Sequence, residues 1–214
     1  MTFYEIIDGL IDAGDEVPAV KRNGDGYAAA RKLIHDELAS PHDVEVACYH
    51  EAGHWAVAVA SADQLEADGS LFEVCGPRIK YYYPVDGKPE RYEATPTGLK
   101  MVGMENWLPK SGSDVKIMAR IAMAGGESVQ HFYGPNQKRG DVNDTGRFDE
   151  LCRNTRLRLG GVIEAPYIYR EKALEEIQTD FRNVMFASNV SERAERVKQE
   201  RFGPVFGFHT KETL

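Results

Sequence analysis

Residues 47–56 read Ala-Cys-Tyr-His-Glu-Ala-Gly-His-Trp-Ala, which places His50 and His54 four positions apart with Glu51 directly after the first histidine. Four residues are slightly more than one turn of an α-helix, so both imidazoles leave the same face and can share one metal ion. A chain of this composition is expected to contain the pattern by chance roughly 0.015 times. The pattern predicts a metal-dependent hydrolase in which the two histidines are ligands and Glu51 is the general base for a metal-activated water.

The residues around this pattern predict a buried helix that begins near Pro41. Ser40 is an N-cap residue, Pro41 suits the first helical position because it needs no amide hydrogen, and Asp43 completes a capping box of the S-x-x-D type. The sequence over 44–60 becomes increasingly apolar, so we expect the second half of the helix to be buried. Further along the chain, the pair Gly125-Gly126 is expected to let another helix approach this one closely.

Composition and charge exclude several classes of protein. The chain has 214 residues and a net charge of −8, so nucleic acid and anionic membrane surfaces would repel it. No apolar stretch approaches the roughly 20 residues that span a bilayer, and the N-terminus lacks the pattern of an export signal. Three widely spaced cysteines without C-x-x-C are typical of a reducing compartment. We expect a cytoplasmic protein without nucleic-acid or membrane partners, and the sequence leaves its oligomeric state open.

The periodicity of the chain predicts an α+β fold that is predominantly helical, with a small β-sheet and a C-terminal helical region. Residues 1–39 are expected to form an N-terminal helical extension packed on the same domain as residues 40–214. The predicted elements are helices over 3–14, 27–39, 41–60 and 114–133, a helix that opens from a turn at 140–144 and runs to 158, one or two helices over 166–201, and strands over 71–75, 78–84 and 98–104, with a loop over 84–96.

The third metal ligand must come from elsewhere in the chain, because a catalytic zinc usually takes three protein ligands and keeps one position for water. His54 is not followed by a glycine and a third histidine at the required spacing, which excludes the metzincin extension. Three candidates remain. Glu127 and His131 lie four residues apart on the predicted 114–133 helix, and Asp144 lies in the turn over 140–144. The chemistry of these side chains does not distinguish them.

The chain resembles the peptidase domain of the FtsH family of ATP-dependent zinc proteases over roughly residues 44–158. Residues 47–56 (ACYHEAGHWA) are similar to the HEAGHA signature of that family. Residues 121–134 (IAMAGGESVQHFYG) resemble its Gly-Gly helix, and residues 140–144 (GDVND) resemble its G-x-S-N-D segment, whose aspartate is the third zinc ligand. The three segments also occur in the same order.

The resemblance implies a zinc metalloendopeptidase with a zincin-like helix. In such an enzyme His50, His54 and Asp144 hold Zn²⁺. Glu51 is the catalytic base that removes a proton from the attacking water. The substrate is a polypeptide.

Two departures from the family pattern change what we expect. Gln130-His131 stand where the family has an acidic pair, so a carboxylate that orients a zinc ligand is missing or replaced. Gly87-Lys88 is followed by Pro89, and the chain contains no G-x-x-x-x-G-K-[ST] phosphate loop. We therefore expect ATP-independent cleavage of unstructured polypeptides or short peptides, or dependence on a separate partner that presents or unfolds the substrate.

Two other functions fit the same residues. A peptidase-like domain that keeps zinc without turnover would be a binding or adaptor module, with residues 1–39 as its partner surface. The presence of Glu51 counts against that alternative. A narrow regulatory peptidase of the repressor-cleaving kind also uses HExxH, and a glutamate as third ligand would favour it.

Overall fold

The computed structural model describes residues 40–65, 72–75, 78–82, 91–95, 98–101 and 108–199, together with Lys32. The chain divides into two compact units. One contains Val46–Glu73 and Leu99–Glu195, and the other contains Met1–Glu45, Val74–Gly98 and Arg196–Leu214. The first unit contains every residue of the candidate site. The helices predicted over 3–14 and 27–39 lie outside the described residues, apart from Lys32, so the N-terminal extension stays a prediction.

The described residues contain five α-helices. They are α1 (Pro41–Ala60), α2 (Gly112–Tyr133), α3 (Val142–Leu159), α4 (Pro166–Phe181) and α5 (Val184–Val197), and a short 3₁₀ turn at Asp63–Leu65 follows α1. These bounds agree with the helices predicted over 41–60 and 114–133 and with the helix predicted to end at 158. The described part of the stretch over 166–201 forms two helices. Within the described part of the chain, no helix combines the length and apolar content that crossing a bilayer requires.

Four short strands pair as two separate ladders. They are β1 (Phe72–Cys75), β2 (Arg78–Tyr82), β3 (Arg91–Thr95) and β4 (Gly98–Met101). β1 pairs with β4, and β2 pairs with β3. The second pair is antiparallel, in a register that joins Arg78 to Thr95 at one end and Tyr82 to Arg91 at the other.

The predicted α+β fold with a small sheet is wrong, because the fold is helical. Over residues 40–65 and 108–199, 81% of the chain is helical and no residue lies in a strand. A two-stranded ladder cannot enclose a hydrophobic core by itself, and the core of the described residues comes from the helices. The loop predicted over 84–96 is also wrong, since it contains β3. The pairing of β3 depends on main-chain hydrogen bonds, which the pattern of side chains does not reveal.

The core of the first unit forms where α2 packs along α4. Ala173 and Ile177 of α4 are fully buried, as are Val115 and Ala119 of α2. Their spacing of four residues puts each pair on one helix face. Burial of a side chain such as Ile177 contributes about 1.5–3 kcal/mol, so the packing of α4 on α2 stabilises the helix that also brings residues to the site.

The helix α1 begins at Pro41, as predicted. Ser40 Oγ accepts a hydrogen bond from Asp43 N at 3.2 Å and donates one to Asp43 Oδ2 at 2.7 Å. The second half of α1 is buried, which also confirms the prediction. Its buried residues include His50, Glu51, Ala52, His54, Ala56, Val57 and Ala58.

Candidate metal centre

Three potential metal ligands converge at one point in the first unit. His50 and His54 leave the same side of α1, and their Nε2 atoms lie 3.0 Å apart. Asp144 stands in the first turn of α3, and its Oδ2 lies 3.1 Å from His50 Nε2 and 3.4 Å from His54 Nε2. The structure therefore brings together the three residues that the resemblance implied as ligands, although α1 and α3 are far apart in sequence.

The second ring nitrogen of each histidine faces a main-chain carbonyl. His50 Nδ1 lies 2.9 Å from the carbonyl oxygen of Arg139, and His54 Nδ1 lies 2.6 Å from that of Ile121. Because a carbonyl only accepts hydrogen bonds, Nδ1 carries the hydrogen in both rings and each neutral ring keeps its lone pair on Nε2. Metal-ligating histidines are typically oriented in this way.

The convergence of three acceptor atoms suits a shared proton or a bound metal ion. Two imidazole lone pairs and a carboxylate oxygen repel one another at this separation unless a proton or a metal ion lies between them. In a tetrahedral zinc site with bonds of 2.0–2.1 Å the ligand atoms lie about 3.3 Å apart, and here the separations are 3.0, 3.1 and 3.4 Å. The buried group of His50, Glu51 and His54 could hold a metal ion.

Gly125 leaves space beside the two imidazoles. A Cβ atom at this position would stand 2.4 Å from His54 Nε2 and 2.7 Å from His50 Nε2. Those distances approach the 2.0–2.1 Å of a metal–nitrogen bond, so a side chain here would compete with an ion held by both rings. The close approach of the two helices that Gly125-Gly126 predicted is confirmed at Gly125.

Glu51 is buried beside the two histidines. Its side chain makes no hydrogen bond or ion pair with another described residue, and its carboxylate and the two imidazoles offer ligand atoms within 4.8 Å of one another. Burial raises the pKa of Glu51 against the opposing effect of the two histidines. A carboxylate with a raised pKa accepts a proton more readily near neutral pH.

Without a metal, a proton holds the cluster together. Burial by itself would lower the pKa of His54, but the hydrogen bond to Asp144 and the charge of Glu51 outweigh burial and raise that pKa to about 9. Burial would raise the pKa of Asp144, and its hydrogen bonds to both histidines outweigh burial and lower it. The pair therefore favours an imidazolium beside a carboxylate.

The two other candidates for the third ligand face elsewhere. Glu127 is buried, and its Oε1 lies 2.6 Å from Arg139 Nη2. His131 is exposed and stacks on Phe181, with 5.1 Å between the ring centroids. Neither makes a hydrogen bond or ion pair with the two histidines of α1 among the described contacts. Asp144 is the candidate whose position suits a third ligand.

Sequence reasoning missed the residues that orient the ligands. Arg139 and Ile121 act through their main-chain carbonyls, which any residue type supplies, so no motif points to them. The side chain of Arg139 also pairs with Glu127 and with Asp141. A buried glutamate on a predicted helix indicates that an ion pair is needed, so an ion pair of Glu127 could have been expected. The sequence does not show that its partner is Arg139, which lies in a loop.

Compared with protein families, curated proteins and solved structures, the chain shows no match.

Proposed function

We propose that the protein is a zinc-dependent metalloendopeptidase. The observation that supports this most is the convergence of His50 Nε2, His54 Nε2 and Asp144 Oδ2, with separations of 3.0–3.4 Å, beside the buried carboxylate of Glu51. Two imidazole nitrogens and one carboxylate oxygen are a donor set that hydrolytic zinc sites use. The peptide bond as substrate comes from the resemblance to the FtsH peptidase domain.

Different residues of the chain would have separate roles in hydrolysis. When bound, zinc supplies Lewis-acid activation of water and of the carbonyl under attack. Glu51 accepts the proton of the attacking water and passes it to the leaving amine. The carbonyls of Ile121 and Arg139 hold the Nδ1–H tautomer of both histidines, so that Nε2 faces the ion.

We further propose that the chain cleaves flexible polypeptides without ATP in the cytoplasm, alone or with a separate partner that presents the substrate. Cys152 is buried and forms no disulfide, which supports a reducing compartment. The lack of a phosphate loop in the sequence supports independence from ATP.

The alternatives receive less support. A glutamate as third ligand would favour a regulatory peptidase of the repressor-cleaving kind, and Glu127 pairs with Arg139 instead. No described feature favours an adaptor module over an enzyme. The activity of the purified protein decides between the enzyme and the adaptor.

The first test is metal content. The wild-type protein should contain about one zinc ion per chain, and Asp144→Ala should lose most of it, because two ligands bind zinc far more weakly than three. His131→Ala is the control and should retain zinc, since His131 stacks on Phe181. Elemental analysis of the three proteins provides the measurement. Zinc lost in His131→Ala and kept in Asp144→Ala would overturn the assignment.

The second test is turnover by Glu51→Gln. The amide keeps the shape of the side chain and cannot accept the proton, so cleavage of unfolded casein or of a quenched peptide library should fall by roughly 10²- to 10⁴-fold, with zinc retained. Glu45→Gln changes another glutamate of α1, one that pairs with Lys198, and should keep full activity. If Glu51→Gln cleaves as fast as the wild type, Glu51 is not the base. A zinc-loaded wild type that cleaves nothing supports the adaptor alternative.

A further inference from the structure

The loop residue before α3 is held by two carboxylates. Arg139 Nη2 lies 2.6 Å from Glu127 Oε1, and Arg139 Nε lies 2.8 Å from Asp141 Oδ2. Glu127 belongs to α2 and is buried, and Asp141 is the N-cap residue of α3. The guanidinium donates a charge-assisted hydrogen bond to Asp141 and forms an ion pair with Glu127. It therefore joins α2, the loop and the beginning of α3.

The main chain of the same residue supports the first metal ligand. The carbonyl oxygen of Arg139 accepts the hydrogen bond from His50 Nδ1 at 2.9 Å. The next residue, Gly140, has a φ of +76°, which favours glycine and turns the chain directly after this carbonyl. A Cβ at Gly140 would lie 3.5 Å from His50 Nδ1, so the loop packs closely on the imidazole.

The cluster also supports the third ligand. The carbonyl of Asp141 accepts hydrogen bonds from Thr145 N at 3.0 Å and from Thr145 Oγ1 at 2.8 Å. These bonds form the first turn of α3, and Asp144 lies in that turn. The position of the Asp144 carboxylate therefore depends on where the loop holds Asp141.

We propose that the ion-pair cluster of Glu127, Arg139 and Asp141 positions the metal site, by setting the orientation of His50 and the start of the helix that carries Asp144. This inference rests on the proposed metal centre and does not require that the centre cleave peptides. Arg139 is a positioning residue, because it acts on the ion through His50 and through α3. Removal of a residue that orients a metal ligand typically lowers metal affinity by roughly 10- to 100-fold.

The fold provides a matched control. Arg120 of α2 is also flanked by two carboxylates, with Nη2 2.7 Å from Asp180 Oδ2 and Nε 3.5 Å from Glu176 Oε2. Both partners lie on α4, and none of the three residues contacts a metal ligand among the described contacts. Removing this guanidinium should affect stability alone, whereas removing that of Arg139 should also affect the metal.

The experiment measures zinc dissociation constants by chelator competition for the full chain and for R139M, R139K and R120M, with thermal unfolding of each metal-free protein. We expect R139M to weaken zinc binding by roughly 10- to 100-fold, R139K to weaken it less because the charge remains, and R120M to bind as the wild type does. If R139M does not fold, R139K and the milder change E127Q provide the same comparison.

The outcomes separate this inference from the proposed function. A zinc-binding wild type with unchanged affinity in R139M and R139K overturns the inference and leaves the metal centre in place. Equal losses in R139M and R120M also overturn it, because the effect would then come from stability in general. A wild type that binds no zinc at any concentration overturns the metal centre and the inference together.

Discussion

A single methyl group at position 125 is expected to weaken metal binding strongly. In Gly125→Ala the new Cβ would stand 2.4 Å from His54 Nε2 and 2.7 Å from His50 Nε2, so the methyl group and the ion would compete for the same space. Removing a residue that orients a metal ligand typically lowers metal affinity by at most roughly 100-fold. We expect zinc affinity to fall by more than this, because the methyl group stands in the space of the ion itself. Chelator competition measures the dissociation constant.

Gly146→Ala is the matched control for this change. Gly146 lies in α3, and a Cβ there would meet no atom within 4 Å. Alanine should therefore leave zinc affinity unchanged and stabilise the helix by about 0.5–1 kcal/mol. Equal zinc affinity in Gly125→Ala and Gly146→Ala would show that the space beside Gly125 is not needed for the ion.

The metal-free protein should lose folding stability as the pH rises above 6.5. The fold raises the pKa of His54 from 6.5 to about 9, so the folded state holds a proton that the unfolded state releases. That contribution is complete below pH 6.5 and disappears as the pH passes 9, with a loss of up to about 3 kcal/mol. Urea unfolding after chelation, below pH 6.5 and near pH 9, measures the change.

Asp144→Asn tests the cause of this pH dependence. It removes the carboxylate whose hydrogen bond raises the pKa of His54, so the loss of stability across the same pH window should become smaller. A wild-type stability that is constant or rises over this window would contradict the assignment of a shared proton to His54 and Asp144.

Part of the site could be predicted at this scale and part could not. The relation of His50, Glu51 and His54 follows from spacing within one helix, because the helix itself fixes their relative positions. Asp144 lies 94 residues from His50, and only the resemblance distinguished it from Glu127 and His131. The role of Arg139 was not predictable, because every residue has a main-chain carbonyl and the sequence does not show which one faces His50.

Between elements, the site depends on how closely α1 and α2 approach. A Cβ at Gly53 of α1 would stand 2.5 Å from the carbonyl oxygen of Ala124 and 2.7 Å from Ser128 Cβ. Ser128 Oγ donates a hydrogen bond of 2.6 Å to the carbonyl of Tyr49, one residue before the first ligand. Glycines on both helices, Gly53 and Gly125, therefore allow the contact that places the histidines against α2.

Gly53→Ala should separate the two helices. The clash involves main-chain atoms, which cannot turn away as a side chain does, so we expect a loss of about 1–3 kcal/mol in the free energy of unfolding. Urea unfolding of the metal-free proteins measures this loss, and Gly146→Ala again serves as the control because it gains stability. A Gly53→Ala protein as stable as the wild type would show that α1 and α2 are not in close contact.

Helix ends were predictable because local chemistry sets them. Ser40 and Pro41 mark the beginning of α1, and Gly160, with a φ of 78°, follows the last residue of α3. The sheet was not predictable in the same way. The strands over 72–101 pair as two separate ladders. Main-chain hydrogen bonds decide which strands pair, and the side chains of a strand alternate in the same way whichever strand is its partner.

For the molecule as a whole, the proposed chemistry limits which substrates can be cut. The sequence contains no G-x-x-x-x-G-K-[ST] phosphate loop, and in the proposed function cleavage is not coupled to nucleotide hydrolysis. A peptide bond must reach His50, His54 and Glu51, which are buried on α1. A stable folded substrate exposes an extended segment only through rare opening, with a population set by its free energy of unfolding.

Cleavage by the purified chain should therefore follow the unfolded fraction of the substrate and ignore ATP. The measurement compares one substrate domain in its native form and in a form destabilised by mutation, each with and without ATP, using zinc-loaded enzyme and Glu51→Gln as the inactive control. When the substrate opens and closes faster than it is cleaved, the rate follows the open fraction, so each 1.4 kcal/mol of substrate destabilisation should raise the rate by about tenfold until the substrate is largely unfolded. Rapid digestion of the stable form that requires ATP would mean that the chain contains a motor that its sequence does not reveal.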